Sequence, residues 1–210
     1  MRRPAVFAFL VLIATVSCGS AGDARTSVDP AAPTATGGPS AVASIPTFPA
    51  RALPDHVTKA RVVTSEVLRE DVPGDGSLEA ATSGFVAGTE RTFSARTGEL
   101  RMVIARVLLF DSAEAAVRYV SWAEANADLL VGNAEELEPL PLPGSPTLFG
   151  HAASGCCVKD LPLYLATWQR GVLVLSLFVS GPARGRPAVA PLAAELDIVG
   201  GRYPPGTGSA

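Results

Sequence analysis

Two histidines, His56 and His151, and three cysteines, Cys18, Cys156 and Cys157, are the whole supply of imidazole and thiol in this sequence. His151 precedes Ser154, Cys156 and Cys157 closely enough to raise two chemistries, a thiolate nucleophile with a histidine base and a mixed Cys/His metal site. A structural zinc site takes four ligands, and this cluster lacks partners to complete one. A nucleophilic cysteine needs a base and an oxyanion hole that adjacency along the chain does not build. His151 therefore reads as an ordinary, partly exposed loop residue. The envelope hydrolase with a site near His151, Cys156 and Cys157 is kept as the alternative function.

Other chemistry-bearing patterns fail on spacing. Asp71-Val72-Pro73-Gly74-Asp75-Gly76 is acidic, but Pro73 stands where a calcium loop needs a ligand and no Glu closes the twelfth position. Glu135-Glu136 reads as the solvated exit of a helix rather than as a glycosidase pair. Gly74-Asp75-Gly76 lacks the preceding strand and third glycine of a dinucleotide loop, and G-x-S-x-G, H-E-x-x-H and Walker patterns do not occur. No catalytic residue is assigned, no metal or cofactor is expected, and a non-enzyme is favoured. Trp168, Tyr164, Trp122, Tyr119 and Phe178 either line a ligand groove or fill the core, and the core is the preferred reading.

The thiols point to a compartment. Outside the cytoplasm Cys156 and Cys157 would be oxidised, yet neighbours in an extended strand point to opposite faces, so a bridge demands a strained turn. Gly155 makes such a turn accessible. A vicinal disulfide and two separate thiols both remain open.

Cys18 has a different setting. Met1-Arg2-Arg3, the apolar run Ala5 to Val16 and small residues from Ser17 to Ser20 have the layout of a signal peptide over residues 1–17. Thr15-Val16-Ser17-Cys18-Gly19 resembles the bacterial lipobox, departing from it at Thr15, where Leu is usual. That resemblance implies an acylated (palmitate-bearing) Cys18 as the first mature residue; ordinary cleavage after Ala21 or Ala24 is the alternative. Each buried methylene contributes about 0.8 kcal/mol, so two or more chains hold a protein on a bilayer. Loss of Arg2 and Arg3 takes the net charge from -3 to -5. Only Lys59 and Lys159 are lysines and the arginines are scattered, so a nucleic-acid partner is not expected. Beyond the leader no apolar run reaches membrane-span length.

The elements that would position these residues begin late. Residues 18–54 are rich in Ala, Pro, Thr and Gly and read as a disordered tether, residues 55–203 as the folded domain and 204–210 as a loose tail. The stretch Val57 to Leu68 is a short element of unassigned type, and Ser77 with Glu79 is read as capping a short helix. Phe85 to Arg96 and Glu99 to Phe110 read as strands joined at Thr97-Gly98, followed by a helix from Ser112 to Val131 with a capping box from Asp111 to Glu114. Its apolar stripe is Ala113, Ala116, Val117, Val120, Ala123, Ala127, Leu130 and Val131. Leu163 to Gln169, Val172 to Ser180 and the helix Arg186 to Val199 repeat the order strand, strand, helix. Leu137 to Pro146 is too rich in proline for a helix and reads as an extended crossing; Leu148 to Ala152 adds a short strand. The fold class is α+β, an antiparallel sheet with helices packed on it. Arg106, inside an apolar strand, must reach solvent or pair with a carboxylate.

Phe110-Asp111-Ser112-Ala113-Glu114-Ala115-Ala116, Leu142-Pro143-Gly144-Ser145-Pro146 and Arg170-Gly171-Val172-Leu173-Val174 together resemble the exported lipoproteins of unknown function in mycobacteria and other actinobacteria. The resemblance covers roughly Phe85 to Asp197 and implies an envelope location, a tethered α+β domain and, in some families, likeness to the outer sensor domains of membrane kinases. No site residue is carried over. The expected function is a lipoprotein anchored to the outer face of the cell membrane, or secreted if not lipidated. It would bind or sense an envelope protein or a small apolar molecule.

Overall fold

A computed structural model describes residues 44–71, 76–151, 161–182 and 186–203. Cys18, Cys156 and Cys157, with the leader, the possible bridge and the tail from 204, lie outside the described residues. Seven strands form one antiparallel sheet: β1 Val57–Val63, β2 Phe85–Ser94, β3 Met102–Phe110, β4 Glu135–Glu136, β5 Leu148–His151, β6 Leu163–Arg170 and β7 Leu173–Ser180. Their order across the sheet is β1-β2-β3-β7-β6-β5-β4, so the two apolar strands read from the sequence, β3 and β7, lie side by side at its centre. The helices are α1 Ser65–Asp71, α2 Gly76–Ala81, α3 Ala113–Ala125, α4 Ala127–Val131 and α5 Arg186–Gly200.

Strands apolar on both sides need cover on both sides. Val103, Ala105, Val107 and Leu109 of β3 join Leu173, Leu175, Leu177 and Val179 of β7 under Val189, Leu192, Ala193, Leu196 and Val199 of α5. The opposite face, at Leu108, Phe110 and Val174, is covered by Ala115, Ala116, Tyr119, Trp122 and Ala123 of α3. Leu163 and Leu165 of β6 pack against Val131 of α4. The two strand, strand, helix units thus put their helices on opposite faces. Tight links hold the turns: Gly171 carries β6 into β7 at φ 63°, and Gly84 leads into β2 at φ 86° with the Asp111 carboxylate only 2.5 Å from where a Cβ would stand.

Several expectations are corrected. The 57–68 stretch splits into β1 and α1, the helix opening where Thr64 Oγ1 accepts from the Val67 amide at 3.4 Å. Packed residues begin before 55, because Ile45 and Phe48 are buried on the α5 face, with Phe48 set edge-on to Phe93. Thr89 and Arg91 of β2 donate to the carbonyls of Pro46 and Phe48 at 2.9 and 2.6 Å and so hold this segment across the strand. Ser112, not Asp111, caps α3, its hydroxyl accepting from the Ala115 amide at 3.2 Å. The helix breaks at Asn126, whose side chain donates to the Trp122 carbonyl. Val117 is outside its buried stripe at 47% exposure, because the larger Tyr119 and Trp122 set the rotation of α3. Ser77 accepts from the Trp122 indole at 2.8 Å, which ties α2 to α3. The 137–146 segment is the loop of the β4–β5 hairpin, and the helices α3 and α4 make the crossing to the far edge. Glu135 and Glu136 are therefore a strand, opposite Gly150 and Phe149, rather than a helix exit.

Candidate functional site

The register of the sheet makes rows of side chains that run across the strands on one face. On the face of α3 the first row is Val63, Gly88, Leu108, Val174 and Gln169, and it lies under that helix. The next row is Arg61, Glu90, Arg106, Ser176 and Thr167. It is polar in all five strands although Glu90, Arg106, Ser176 and Thr167 are buried.

The row is held together by charge-assisted bonds. Arg61 donates through Nε and a terminal nitrogen to the two Glu90 oxygens at 2.7 and 2.9 Å, the fork geometry that suits a carboxylate. Arg106 Nε donates to Glu90 Oε2 at 2.6 Å, and Thr92 Oγ1 donates to Oε1 at 3.3 Å. Thr167 and Ser176 share a hydrogen bond of 3.1 Å. Burial by itself would raise the Glu90 pKa; the hydrogen bond from Arg61, the charge and hydrogen bond of Arg106 and the charge of Arg61 outweigh it and hold the carboxyl below the usual range. Glu90 is consequently an anion committed to two cations, a poor proton acceptor. Arg106 fulfils the requirement that it pair with a carboxylate, and its guanidinium also lies 5.7 Å from the centre of the Phe178 ring.

Past the polar row the cover by α3 ends among the described residues. The third row is Lys59, Thr92, Ile104, Phe178, Leu165 and Phe149, and the fourth is Val57, Ser94, Met102, Ser180, Leu163 and His151. Leu163 and Leu165 are buried beneath α4, whereas Met102, Ile104 and Phe178 remain half-buried and Lys59 and Ser94 are exposed. Among the described residues no helix packs over Met102 and Ile104, so a partly covered apolar floor lies here, with a charged row along one side, basic Lys59 and Arg61 at its β1 border and α4 at its β6 border. Ser180 is 1% exposed and its hydroxyl has no hydrogen-bond partner among the described residues.

The structure distributes the residues singled out in the sequence over several places. His151 ends β5, half-buried, in the fourth row; Cys156 and Cys157 lie outside the described residues. His56 sits elsewhere, donating from Nε2 to the Leu100 carbonyl at 3.0 Å beside Phe93. The aromatics do not share one groove. Tyr164 and Trp168 are in the α5 core, with the Trp168 indole on Asp197 at 3.2 Å, while Tyr119 and Trp122 are in the α3 core. Phe178 alone of the five borders the open floor. No group of three or more metal-ligating side chains occurs among the described residues, and none of their helices is long and apolar enough to cross a membrane.

Sequence reasoning missed Arg61, Glu90, Thr92 and Ile104. A signal was present for one of them: Glu90 and Arg106 each lie eight residues from Gly98, so folding the hairpin on that glycine sets them opposite each other.

The sequence matches no protein-family model and no curated protein. Among solved structures it is weakly similar to the extracellular domain of PknH from Mycobacterium tuberculosis, at 14% identity and a TM-score of 0.41, over 70% of this chain and 83% of that one.

Proposed function

We propose that this chain is a non-enzymatic binding module of the cell envelope, lipidated at Cys18, that presents the open half of its α3 face to a protein or a small apolar molecule. The observation that carries the reading is the incomplete cover: α3 and α4 close the first row and the β6 border, and leave Met102, Ile104 and Phe178 half-buried. Covering these side chains would gain about 25 cal/mol per Å² removed from water. The committed Glu90 anion supports binding over turnover, since it is already neutralised by Arg61 and Arg106. Anchoring is supported by the charged leader, its apolar run and the Ser17-Cys18-Gly19 boundary.

Native mass spectrometry of the full chain after exposure to an actinobacterial envelope extract tests the binding. The wild type should retain an added mass that Ile104→Asp loses while its circular dichroism is kept; equal retention by the variant would contradict the assignment. Cys18→Ala should move the protein out of the membrane fraction, and an unchanged membrane share would remove the anchor.

A further inference from the structure

The two borders of the sheet are built differently. At one, β4 has two residues, both Glu and both exposed. At the other, β1 pairs with β2 over all seven of its residues with no shift of register, contains no proline, and has no further strand on its outer side among the described residues. Such an edge offers a row of backbone donors and acceptors to an added strand. Its exposed Val57 and Val62, at 68% and 47%, add side-chain surface that a strand would cover.

The side chains on this edge select among strands. Lys59 and Arg61 project on the α3 face, and Thr58, Ala60 and Val62 on the other. A second copy joining antiparallel would set residues of like face opposite one another. In its three central registers Lys59 then meets Lys59, Lys59 meets Arg61, or Arg61 meets Arg61, and like charges directly opposite destabilise a pair. Acids at alternate positions of an incoming strand meet the opposite situation. They would face Lys59 and Arg61, while β-branched residues between them would cover Ala60 and Val62. Arg61 is already forked onto Glu90, which shares its charge with Arg106, so the exposed Lys59 carries most of this selection against a second copy and toward an acidic partner.

We propose that β1 is a strand-addition site for an extended segment of another protein, one that alternates acidic with β-branched residues and lengthens the sheet beyond Val57–Val63. The inference rests on the reading of the domain as a binding module but uses the backbone edge of β1, two strands from Ile104 in the same row.

The test titrates the isotope-labelled full chain with the capped peptide Thr-Val-Glu-Val-Glu-Val-Thr, whose side-chain order is the same in either direction, and with the analogue carrying Lys at both Glu positions. The acidic peptide should shift and protect the amides of residues 57–63 and bind about tenfold more tightly than the basic one. Lys59→Glu should narrow or invert that ratio, with the unbound spectrum otherwise retained. Equal binding of both peptides, or no binding of either, would overturn the proposal. So would a concentration-dependent dimer whose contacts map to 57–63, since that gives the edge to a second copy. Ile104→Asp should leave the acidic peptide's affinity unchanged, so failure at the edge and failure at the open floor are read separately.

Discussion

The two faces of one sheet solve the same problem with different completeness. On the α5 face, the odd-numbered residues of β3 and β7 and Tyr164, Ala166 and Trp168 of β6 are apolar or aromatic. The α5 helix and the segment around Ile45 and Phe48 shut them from water. On the α3 face the helix covers one row, a line of charged and hydroxyl groups follows, and beyond it apolar residues stand half-open. A buried ion pair is weak evidence of stability, because desolvating two charges offsets much of their attraction. Its place at the limit of the α3 cover is more informative: the row ends the closed core without requiring α3 to extend across the sheet, and Met102, Ile104 and Phe178 beyond it are half-buried.

The contrast predicts a graded set of responses. Removing the shared acceptor should have the largest effect: Glu90→Ala takes this carboxylate from the buried Arg106 and from Arg61 and should cost about 3–5 kcal/mol in urea unfolding. Replacing Arg61, Glu90 and Arg106 together by apolar residues of similar size should recover most of that loss, and a triple variant as unstable as the single one would contradict the pairing argument. Next comes the closed face. Leu175→Ala, at a fully buried position, should cost about 3 kcal/mol. The same truncation on the open floor, Ile104→Ala, should cost about 1 kcal/mol, because only part of that side chain leaves water on folding. Equal losses at the two positions would mean that the floor is covered after all.

Acid should also discriminate. The folded Glu90 pKa is below its unfolded value, so the carboxylate's contribution is complete above the pKa of a solvated glutamate and is lost as pH falls through the lower, folded value. Glu90→Gln should flatten the stability–pH curve in that acid window and leave the slope near neutrality alone; an unchanged acid limb would show that other carboxylates dominate it.

How far this was readable from the residues depends on which physical signal was local. The central strands announced themselves because β3 and β7 are apolar on both sides, and α5 because Val189, Leu192, Ala193 and Leu196 recur at helical spacing. Arg106 stood out for the same reason, as the one charge in such a strand. Its partner did not, since Glu90 sits in a strand of mixed polarity and the pairing depends on register. The apolar stripe of α3 fails only at Val117, because the rings of Tyr119 and Trp122 carry more apolar area and take the buried place beside it. The open floor is a property of where helices stop in space, and no periodicity within β3 or β7 encodes it. The α4 cover over β6 likewise depends on the break at Asn126, which a continuous helical pattern from Ser112 to Val131 conceals.

The measurement that bears most directly on the central claim is hydrogen exchange of the full chain before and after it takes up material from an envelope extract. Protection should rise in Met102–Arg106 and Ser176–Ser180, with α5 over Arg186–Gly200 unchanged. Protection gained on α5 with none in those strand segments would place the binding surface on the face described here as closed.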